Sequence, residues 1–143
     1  MAGYSIRAYS DPQDYPEVIS LWESAGPGIH IGRSDAPAEI RKKLERDPDL
    51  FLVAEQEGRI IGAVMGGFDG RRGLVYHLAV GADNRQQGIG SALLDELEQR
   101  LRRKGCLRCM LLVAPGSDGV EEFYEARGWV RMPLAIFGKD LDR

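Results

Sequence analysis

The segment from Leu74 to Leu101 constrains the fold of this 143-residue chain more than any other part of the sequence. It starts with an apolar run of strand length, Leu74 to Val80, and ends with leucines at positions 93, 94, 97 and 101. Spacings of three and four residues place those leucines on one face of a helix. Gly88 and Gly90 lie between the two parts. The segment therefore predicts a strand, a glycine loop and a helix in that order.

The start of this predicted helix is suited to binding a phosphate. The first N–H groups of a helix have no partner within it, and the positive end of the helix dipole lies beside them. Glycines also let a phosphate approach the backbone closely. The spacing does not match G-x-G-x-x-G, because Leu93 stands where the third glycine would be, and no Gly-Lys-Ser or Gly-Lys-Thr of a Walker loop occurs. We interpret residues 85–91 as a pyrophosphate-binding loop; a helix that merely starts with glycines is the alternative.

Arg85, Gly88 and Gly90 form the pattern R-x-x-G-x-G, which closely resembles the acetyl-CoA signature of the GNAT superfamily of N-acetyltransferases. In that family the loop amides hold the CoA pyrophosphate, and the pantetheine arm pairs with the preceding strand. The layout is most similar to that of the short, stand-alone bacterial members of the YpeA type. The resemblance implies acetyl-CoA as the acyl donor and a cofactor site made by the end of the strand and by the loop: Leu78, Ala79, Val80, Arg85, Gln86, Gln87, Gly88, Ile89, Gly90 and Ser91.

A second signature lies near the end of the chain. Residues 106–113 read as a strand that Pro115 and Gly116 end, and the helix that follows closes at Gly128. Its Phe-Tyr-Glu-x-x-Gly-Trp ending, residues 123–129, resembles the family ending F-Y-E-x-x-G-F. In the family the tyrosine at this position often protonates the departing CoA thiolate, so the resemblance implies that Tyr124 is the catalytic acid and contacts the cofactor. The alternative is a tyrosine that packs the helix against the sheet with its hydroxyl hydrogen-bonded.

Ser117 stands where many family members carry an asparagine that contacts the cofactor arm, seven residues before the tyrosine. The resemblance implies a cofactor contact at Ser117, through a side chain that is shorter and lacks the amide pair. The family also implies a bulge in the cofactor strand, which splays it from the next strand and leaves backbone N–H groups facing the thioester carbonyl. The matching positions are Leu78, Ala79 and Val80; a plain buried strand with full ladder pairing is the alternative.

The general base is not evident from the sequence. Several family members place a glutamate on the cofactor strand, but residues 74–80 contain no carboxylate. His77 is the only group there with a suitable pKa, yet alternation puts Tyr76, Leu78 and Val80 on one face and His77 on the other. We therefore favour a packed histidine over a base, and we interpret Glu55 on the neighbouring strand as a solvated strand end. The missing base favours an acceptor amine of low pKa.

The remaining pattern completes an α/β fold. The predicted elements follow the order βααβββαβαββ, and a mixed sheet in an α/β sandwich fits that order, as the resemblance implies. The last two strands are predicted at residues 129–131 and 135–138, and a hairpin is predicted around Glu57-Gly58. Residues 26–35 are expected, by resemblance, to border the acceptor. A length of 143 residues with 43% apolar residues predicts a single domain over residues 1–143.

Composition limits the function classes. The net charge of −3 gives no overall basic field, so we expect no nucleic-acid or membrane partner. The first residues lack the apolar core of a signal peptide and no apolar run approaches a membrane span, so we expect a cytoplasmic protein. Cys106 and Cys109 have no second pair, and on a strand they would face opposite ways, so we expect reduced thiols and no metal.

Two functions therefore compete. The sequence favours an acetyl-CoA-dependent N-acetyltransferase that acts directly on a primary amine of a small molecule, peptide or protein. The alternative is a non-catalytic acyl-CoA-binding regulatory module. The acceptor, the acyl-chain preference and the oligomeric state, monomer or homodimer, stay open.

Overall fold

The computed structural model describes residues 3–26 and 28–143. Met1, Ala2 and Pro27, the last within the predicted loop after the first helix, lie outside the described residues. The strands are β1 Ser5–Ala8, β2 Phe51–Gln56, β3 Arg59–Phe68, β4 Gly73–Val80 and β5 Cys109–Leu111. The helices are α1 Tyr15–Glu23, α2 Pro37–Arg46, α3 Ile89–Arg103 and α4 Val120–Glu125. Two single 3₁₀ turns occupy Arg33–Asp35 and Ala82–Asn84.

The described residues form one mixed sheet of five strands in the order β1-β2-β3-β4-β5. The first four strands pair antiparallel, and β5 joins β4 in parallel. The predicted hairpin between β2 and β3 is present, and its two turn residues, Glu57 and Gly58, both have positive φ, 51° and 76°. Two such residues match the right-handed twist of the flanking strands. The predicted α/β architecture with a mixed central sheet is confirmed.

The core has one layer on each side of the sheet. On one side α3 buries Leu93, Leu94, Leu97 and Leu101 against the sheet, as the leucine spacing predicts. On the other side Trp22 of α1 and Ile40 of α2 pack against Phe51 and its neighbours. The contact between α3 and β3 is so close that a Cβ built on Gly66 would lie 2.6 Å from Leu97 Cδ1. Because successive side chains of the central strands point to opposite faces of the sheet, these strands contribute to the core on each side.

The prediction of two final strands is wrong. In the described residues neither 129–131 nor 135–138 is a strand, and the predicted strand at 106–113 is limited to Cys109–Leu111. Val130 is 80% exposed and Phe137 is 92% exposed, so these apolar side chains do not reach a core. β-propensity describes how a residue suits a pleated, half-buried surface, and it forms no strand where no neighbouring strand pairs with it.

The two cysteines do not face opposite ways as predicted. Cys106 lies in the turn after α3, ahead of β5, and both cysteines pack toward the α3 core. A Cβ built on Gly73 would lie 2.9 Å from Cys106 Sγ and 3.0 Å from Cys109 Cβ. The alternation rule fails here because only Cys109 belongs to the strand. Both cysteines are free.

Candidate functional site

Strand β4 parts from β5 halfway along its length. The two strands pair only at Gly73, Leu74 and Val75, which lie opposite Cys109, Met110 and Leu111. From Tyr76 to Val80, β4 has no partner on that side within the described part of the chain. Backbone N–H and C=O groups that lack a ladder partner are available to an extended ligand. The splayed strand pair expected from the resemblance is therefore present.

A bulge in β4 occurs at the same place. Tyr76 pairs with Met65 and Ala79 pairs with Ala63, so one residue of β3 faces both His77 and Leu78. His77 has a φ of 46°, which is uncommon for a residue other than glycine, although histidine adopts it more often than most. An inserted residue disrupts the ladder locally and re-aims the side chains that follow it. The alternative of a plain, fully paired strand is wrong.

The bulge also corrects the predicted faces of β4. Leu78 and Val80 pack toward α3, as the alternation has it, but Tyr76 does not share their face. The Tyr76 ring approaches α2, and His77 contacts Trp22 of α1 on the same side of the sheet. Simple alternation fails because the extra residue at the bulge places two successive side chains on one side.

The glycine loop leaves the start of α3 open. Gly88 is the N-cap of α3 with a φ of 79°, and no side chain caps the first amides of the helix. A Cβ built on Gly88 would have no atom within 4 Å, whereas one on Gly90 would lie 3.5 Å from Phe123 and 3.6 Å from Val80. The loop thus lies against α4 and the end of β4, with Gly88 facing free space. Ile89 is only 1% exposed, so its side chain belongs to the core and only its backbone faces the loop.

The polar residues of the loop make different contacts. The Nε of Arg85 donates a hydrogen bond of 3.4 Å to the carbonyl of Val80. Gln86 and Gln87 are exposed, and Gln86 has a φ of 63°. Ser91 Oγ accepts a hydrogen bond of 2.6 Å from Arg127 Nε.

Arg127 was not predicted from the sequence. Its guanidinium lies 3.8 Å from the centre of the Phe123 ring and donates to the Phe123 carbonyl, in addition to its bond with Ser91. The spacing of four residues from Phe123 on a helical segment is the signal that indicates the first of these contacts. Arg127 therefore fixes α4 against the start of α3.

Tyr124 packs between two other aromatic rings. The ring centres of Phe123 and Trp129 lie 5.2 Å and 5.9 Å from that of Tyr124, both in T-shaped contacts. Burial raises the pKa of Tyr124 to about 12. Its hydroxyl makes no hydrogen bond to any described residue. The ring packs α4 against the sheet, as the structural alternative has it, but the hydrogen-bonded hydroxyl of that alternative is absent from the described residues.

Ser117 carries a buried hydroxyl without a partner. Its Oγ has no hydrogen bond to the part of the chain that the structure describes, and a Cβ built on Gly28 would lie 3.0 Å from it. The loop after α1 thus approaches the loop after β5. A cavity of about 400 Å³ lies beside Ser117, lined by residues 113–119 with Glu121, Glu122 and Arg131. A buried hydroxyl without a partner is costly, so a ligand that supplies a hydrogen bond there would be stabilised.

Three observations fit the cofactor that the resemblance implies. The first amides of α3 are uncapped, the outer edge of β4 is unpaired after Val75, and the Ser117 hydroxyl lacks a partner. They suit an anionic pyrophosphate, an extended amide-bearing arm and a polar contact, respectively. Among residues 3–26 and 28–143 there is no group of three metal-ligating side chains and no helix long and apolar enough to cross a membrane.

Comparison with known proteins shows that the chain is an acyltransferase. It belongs to the acetyltransferase (GNAT) family, whose family model matches residues 15–129. A protein named acetyltransferase from Pectobacterium atrosepticum is 41% identical over 128 residues, which cover 90% of this chain and 89% of that protein.

Solved structures agree with this membership. The crystal structure of Ard1 from Thermoplasma volcanium is 25% identical and covers 89% of this chain and 82% of its own, with a TM-score of 0.77. N-acetylglutamate synthase from Neisseria gonorrhoeae, complexed with coenzyme A and N-acetyl-glutamate, is also 25% identical, with a TM-score of 0.66. That match covers 89% of this chain and 28% of the synthase chain.

Proposed function

We propose that this protein transfers an acetyl group from acetyl-CoA directly to a primary amine, and that residues 1–143 form a single domain for this purpose. The observation that carries the proposal is the unpaired edge of β4 after Val75, which lies beside the uncapped start of α3. The relative from Neisseria gonorrhoeae, whose structure holds coenzyme A, supports CoA as the carrier.

The residues proposed from the sequence to bind the cofactor would do so either through backbone groups or through a side chain. The amides of residues 85–91 would hold the pyrophosphate, because the open helix end favours negative charge. Leu78 and Val80 would pair through their backbone with the amides of the pantetheine arm, and Ser117 would supply a side-chain hydrogen bond. When bound, acetyl-CoA supplies the activated acetyl group as a thioester.

Two groups of the chain would assist the transfer. A backbone N–H among Leu78, Ala79 and Val80 would stabilise the negative charge that develops on the thioester oxygen. Tyr124 would donate its proton to the departing sulfur. With the pKa of Tyr124 at about 12 and that of a free thiol at about 8.5, transfer of the Tyr124 proton to the released thiolate would be uphill by about 5 kcal/mol. We therefore expect the tyrosinate, which is the stronger base, to regain a proton from water at neutral pH.

The acceptor amine must be neutral to attack. At pH 7 this costs about 4.6 kcal/mol for a lysine side chain and about 1.1 kcal/mol for an α-amino group. The acceptor class remains a small-molecule amine or a peptide or protein amine, with those of low pKa favoured. We also propose a cytoplasmic location, because two free cysteines, Cys106 and Cys109, suit a reducing compartment.

The first experiment is a thermal-shift titration with acetyl-CoA, followed by an assay for CoA thiol release with a panel of amines. At about 100 times Kd the ligand adds about 2.7 kcal/mol, which raises the Tm by about 5–10 °C. A saturable shift with amine-dependent thiol release would support the proposal. A shift without thiol release would favour the non-catalytic acyl-CoA-binding module, and no shift at millimolar acetyl-CoA would reject both.

A further inference from the structure

A histidine and a buried aspartate meet on the face of the sheet opposite α3. His77 Nε2 lies 3.3 Å from Asp35 Oδ1 and 3.4 Å from Asp35 Oδ2. The two residues are 42 positions apart in the chain, one at the bulge of β4 and the other in the 3₁₀ turn before α2. Their side chains differ in exposure, 20% for His77 and 9% for Asp35. The aspartate therefore lies behind the histidine, on the buried side.

The position of Asp35 fixes which ring nitrogen of His77 carries the proton. An ionised carboxylate only accepts hydrogen bonds, so a neutral imidazole beside it must donate from Nε2. The lone pair of the ring then lies on Nδ1, which has no hydrogen-bond partner among the described residues. A histidine held in this way has one nitrogen occupied and one free to accept a proton.

Asp35 is itself held by its surroundings. Its Oδ2 accepts a hydrogen bond of 3.0 Å from the N–H of Gly32, and its carbonyl accepts one of 2.8 Å from the hydroxyl of Tyr15. Burial raises the pKa of Asp35, but the hydrogen bonds from His77 and Gly32 outweigh burial and leave the pKa below its usual value. Asp35 therefore stays ionised at neutral pH.

The backbone of β4 places His77 next to the proposed reaction centre. His77 directly precedes Leu78, the first of the three residues whose backbone N–H groups we assign to the thioester. His77 has a left-handed φ of 46°, its side chain lies on the α1 side of the sheet, and a T-shaped contact with Trp22, 4.7 Å between ring centres, fixes the ring. A non-glycine residue in this backbone conformation costs energy, and such residues concentrate at functional sites.

We infer that His77 accepts the proton of the attacking amine and that Asp35 positions it; this inference rests on the proposed function. One N–H bond of the acceptor ammonium breaks, its electron pair stays on nitrogen, and the proton forms a new bond to His77 Nδ1. The neutral amine is then able to attack. The whole reaction converts an ammonium and a thioester into an amide, a thiol and one proton, so His77 passes its proton on to water.

The chemistry of imidazole selects the acceptor class. In model compounds α-amines titrate near pH 7.8 and lysine amines near 10.4, so any one base removes a proton about 400-fold more favourably from an α-amine than from a lysine side chain. A peptide N-terminus or another amine of low pKa is therefore the acceptor that suits a single imidazole base.

Few other titratable groups face His77 from the elements packed against it. Tyr15 of α1 reaches Asp35, and Tyr76 of β4 lies with its ring centre 6.5 Å from that of His77. The pKa of each tyrosine is raised, chiefly by burial, so both are neutral at pH 7. Asp47, which raises the pKa of Tyr76 further, is paired with Lys43 on α2. Asp35 is therefore the charged partner that governs His77.

The first test is a pH–rate profile of His77→Asn, since asparagine tolerates left-handed backbone and does not titrate near neutrality. With acetyl-CoA and triglycine, sisomicin or Nα-acetyl-lysine as acceptor, we expect kcat at pH 7 to fall about 100-fold with KM for acetyl-CoA unchanged. The deficit should shrink as the pH rises, because the amine then loses its proton to water. The control Tyr15→Phe removes a hydrogen bond to the carbonyl of Asp35 but no base, so any rate deficit that it causes should be the same at every pH.

The second test does not depend on turnover. Nitrogen-15 NMR of the His77 ring should show the proton on Nε2 in the wild type, and Asp35→Asn should weaken that preference. A proton on Nδ1 in the wild type would overturn the inference, as would a His77→Asn variant with a constant rate deficit at all pH values or with none. If the wild type binds acetyl-CoA but acetylates none of the three amines, the proposed function fails and the role of His77 fails with it.

Discussion

The Gly88→Val variant is expected to fold but to bind acetyl-CoA more weakly than the wild type. Gly88 has a φ of 79°, and a Cβ built there meets no atom within 4 Å. The cost to the free protein is therefore the left-handed backbone alone, about 1–2 kcal/mol. For a domain of this size that cost lowers the Tm by about 2–8 °C. The variant should therefore fold.

The Gly88→Val substitution should destabilise the complex with acetyl-CoA more than it destabilises the free protein. The valine side chain would occupy the space in front of the first amides of α3, and we expect acetyl-CoA affinity to fall at least tenfold, or about 1.4 kcal/mol. At 100 times the wild-type Kd, acetyl-CoA stabilises the wild type by about 2.7 kcal/mol, whereas a tenfold weaker variant gains about 1.4 kcal/mol. Titrating the Tm with acetyl-CoA therefore measures the loss as roughly a halved shift.

Gly58→Val is the matched control for this experiment. Gly58 has a φ of 76° and likewise has no atom within 4 Å of a built Cβ, but it lies in the turn between β2 and β3. It should lose similar stability and keep the full ligand shift. A folded Gly88→Val variant with the same acetyl-CoA shift as Gly58→Val would refute the assignment of the loop as the pyrophosphate site.

Four further changes test other parts of the molecule. Tyr124→Phe should lower kcat for thiol release about 100-fold without changing the Kd for acetyl-CoA, and an unchanged kcat would exclude the acid role. Gly66→Ala places a Cβ 2.6 Å from Leu97 Cδ1, so denaturant unfolding should show a loss of about 1–3 kcal/mol; no loss would mean that this contact relaxes freely. Burial raises the pKa of Cys109 to about 11, so in a Cys106→Ser background its alkylation at pH 8 should be far slower than that of a free thiol. Burial raises the pKa of Asp14, but hydrogen bonds from Arg7 and Ser10 lower the pKa below its usual value. The contribution of Asp14 to stability is therefore present above about pH 4 and is lost as the pH falls through the folded-state pKa. In acid unfolding, the Asp14→Asn variant should lack this loss.

Local sequence patterns predicted the part of the site that is built from consecutive residues. The strand, the glycine loop and α3 follow one another, and the leucine spacing that predicted α3 is the spacing that buries it. The bulge and the splayed edge of β4 were also expected, but only from the resemblance to the family. The residue types at positions 74–80 indicate neither feature. The side of the sheet that Tyr76 occupies was predicted wrongly for the same reason, whereas His77 lies opposite Leu78 and Val80 as predicted.

Contacts between residues that are far apart in the chain could not be predicted from the sequence. Asp35 meets His77 only because the 3₁₀ turn before α2 folds over β4, and Arg127 meets Ser91 only because α4 packs on the start of α3. Strands were predicted at residues 129–131 and 135–138, yet in the described residues neither segment pairs with a neighbouring strand, and Val130, Ile136 and Phe137 are exposed.

The sequence by itself determined the class of fold, the order of elements up to α4 and the glycine loop before α3, because helix periodicity and turn chemistry are properties of neighbouring residues. Only the tertiary structure decided which side chains share a face of β4, which buried hydroxyl lacks a partner, and which carboxylate orients His77. Those features depend on one inserted residue in a strand ladder and on the packing of segments that are far apart in the chain.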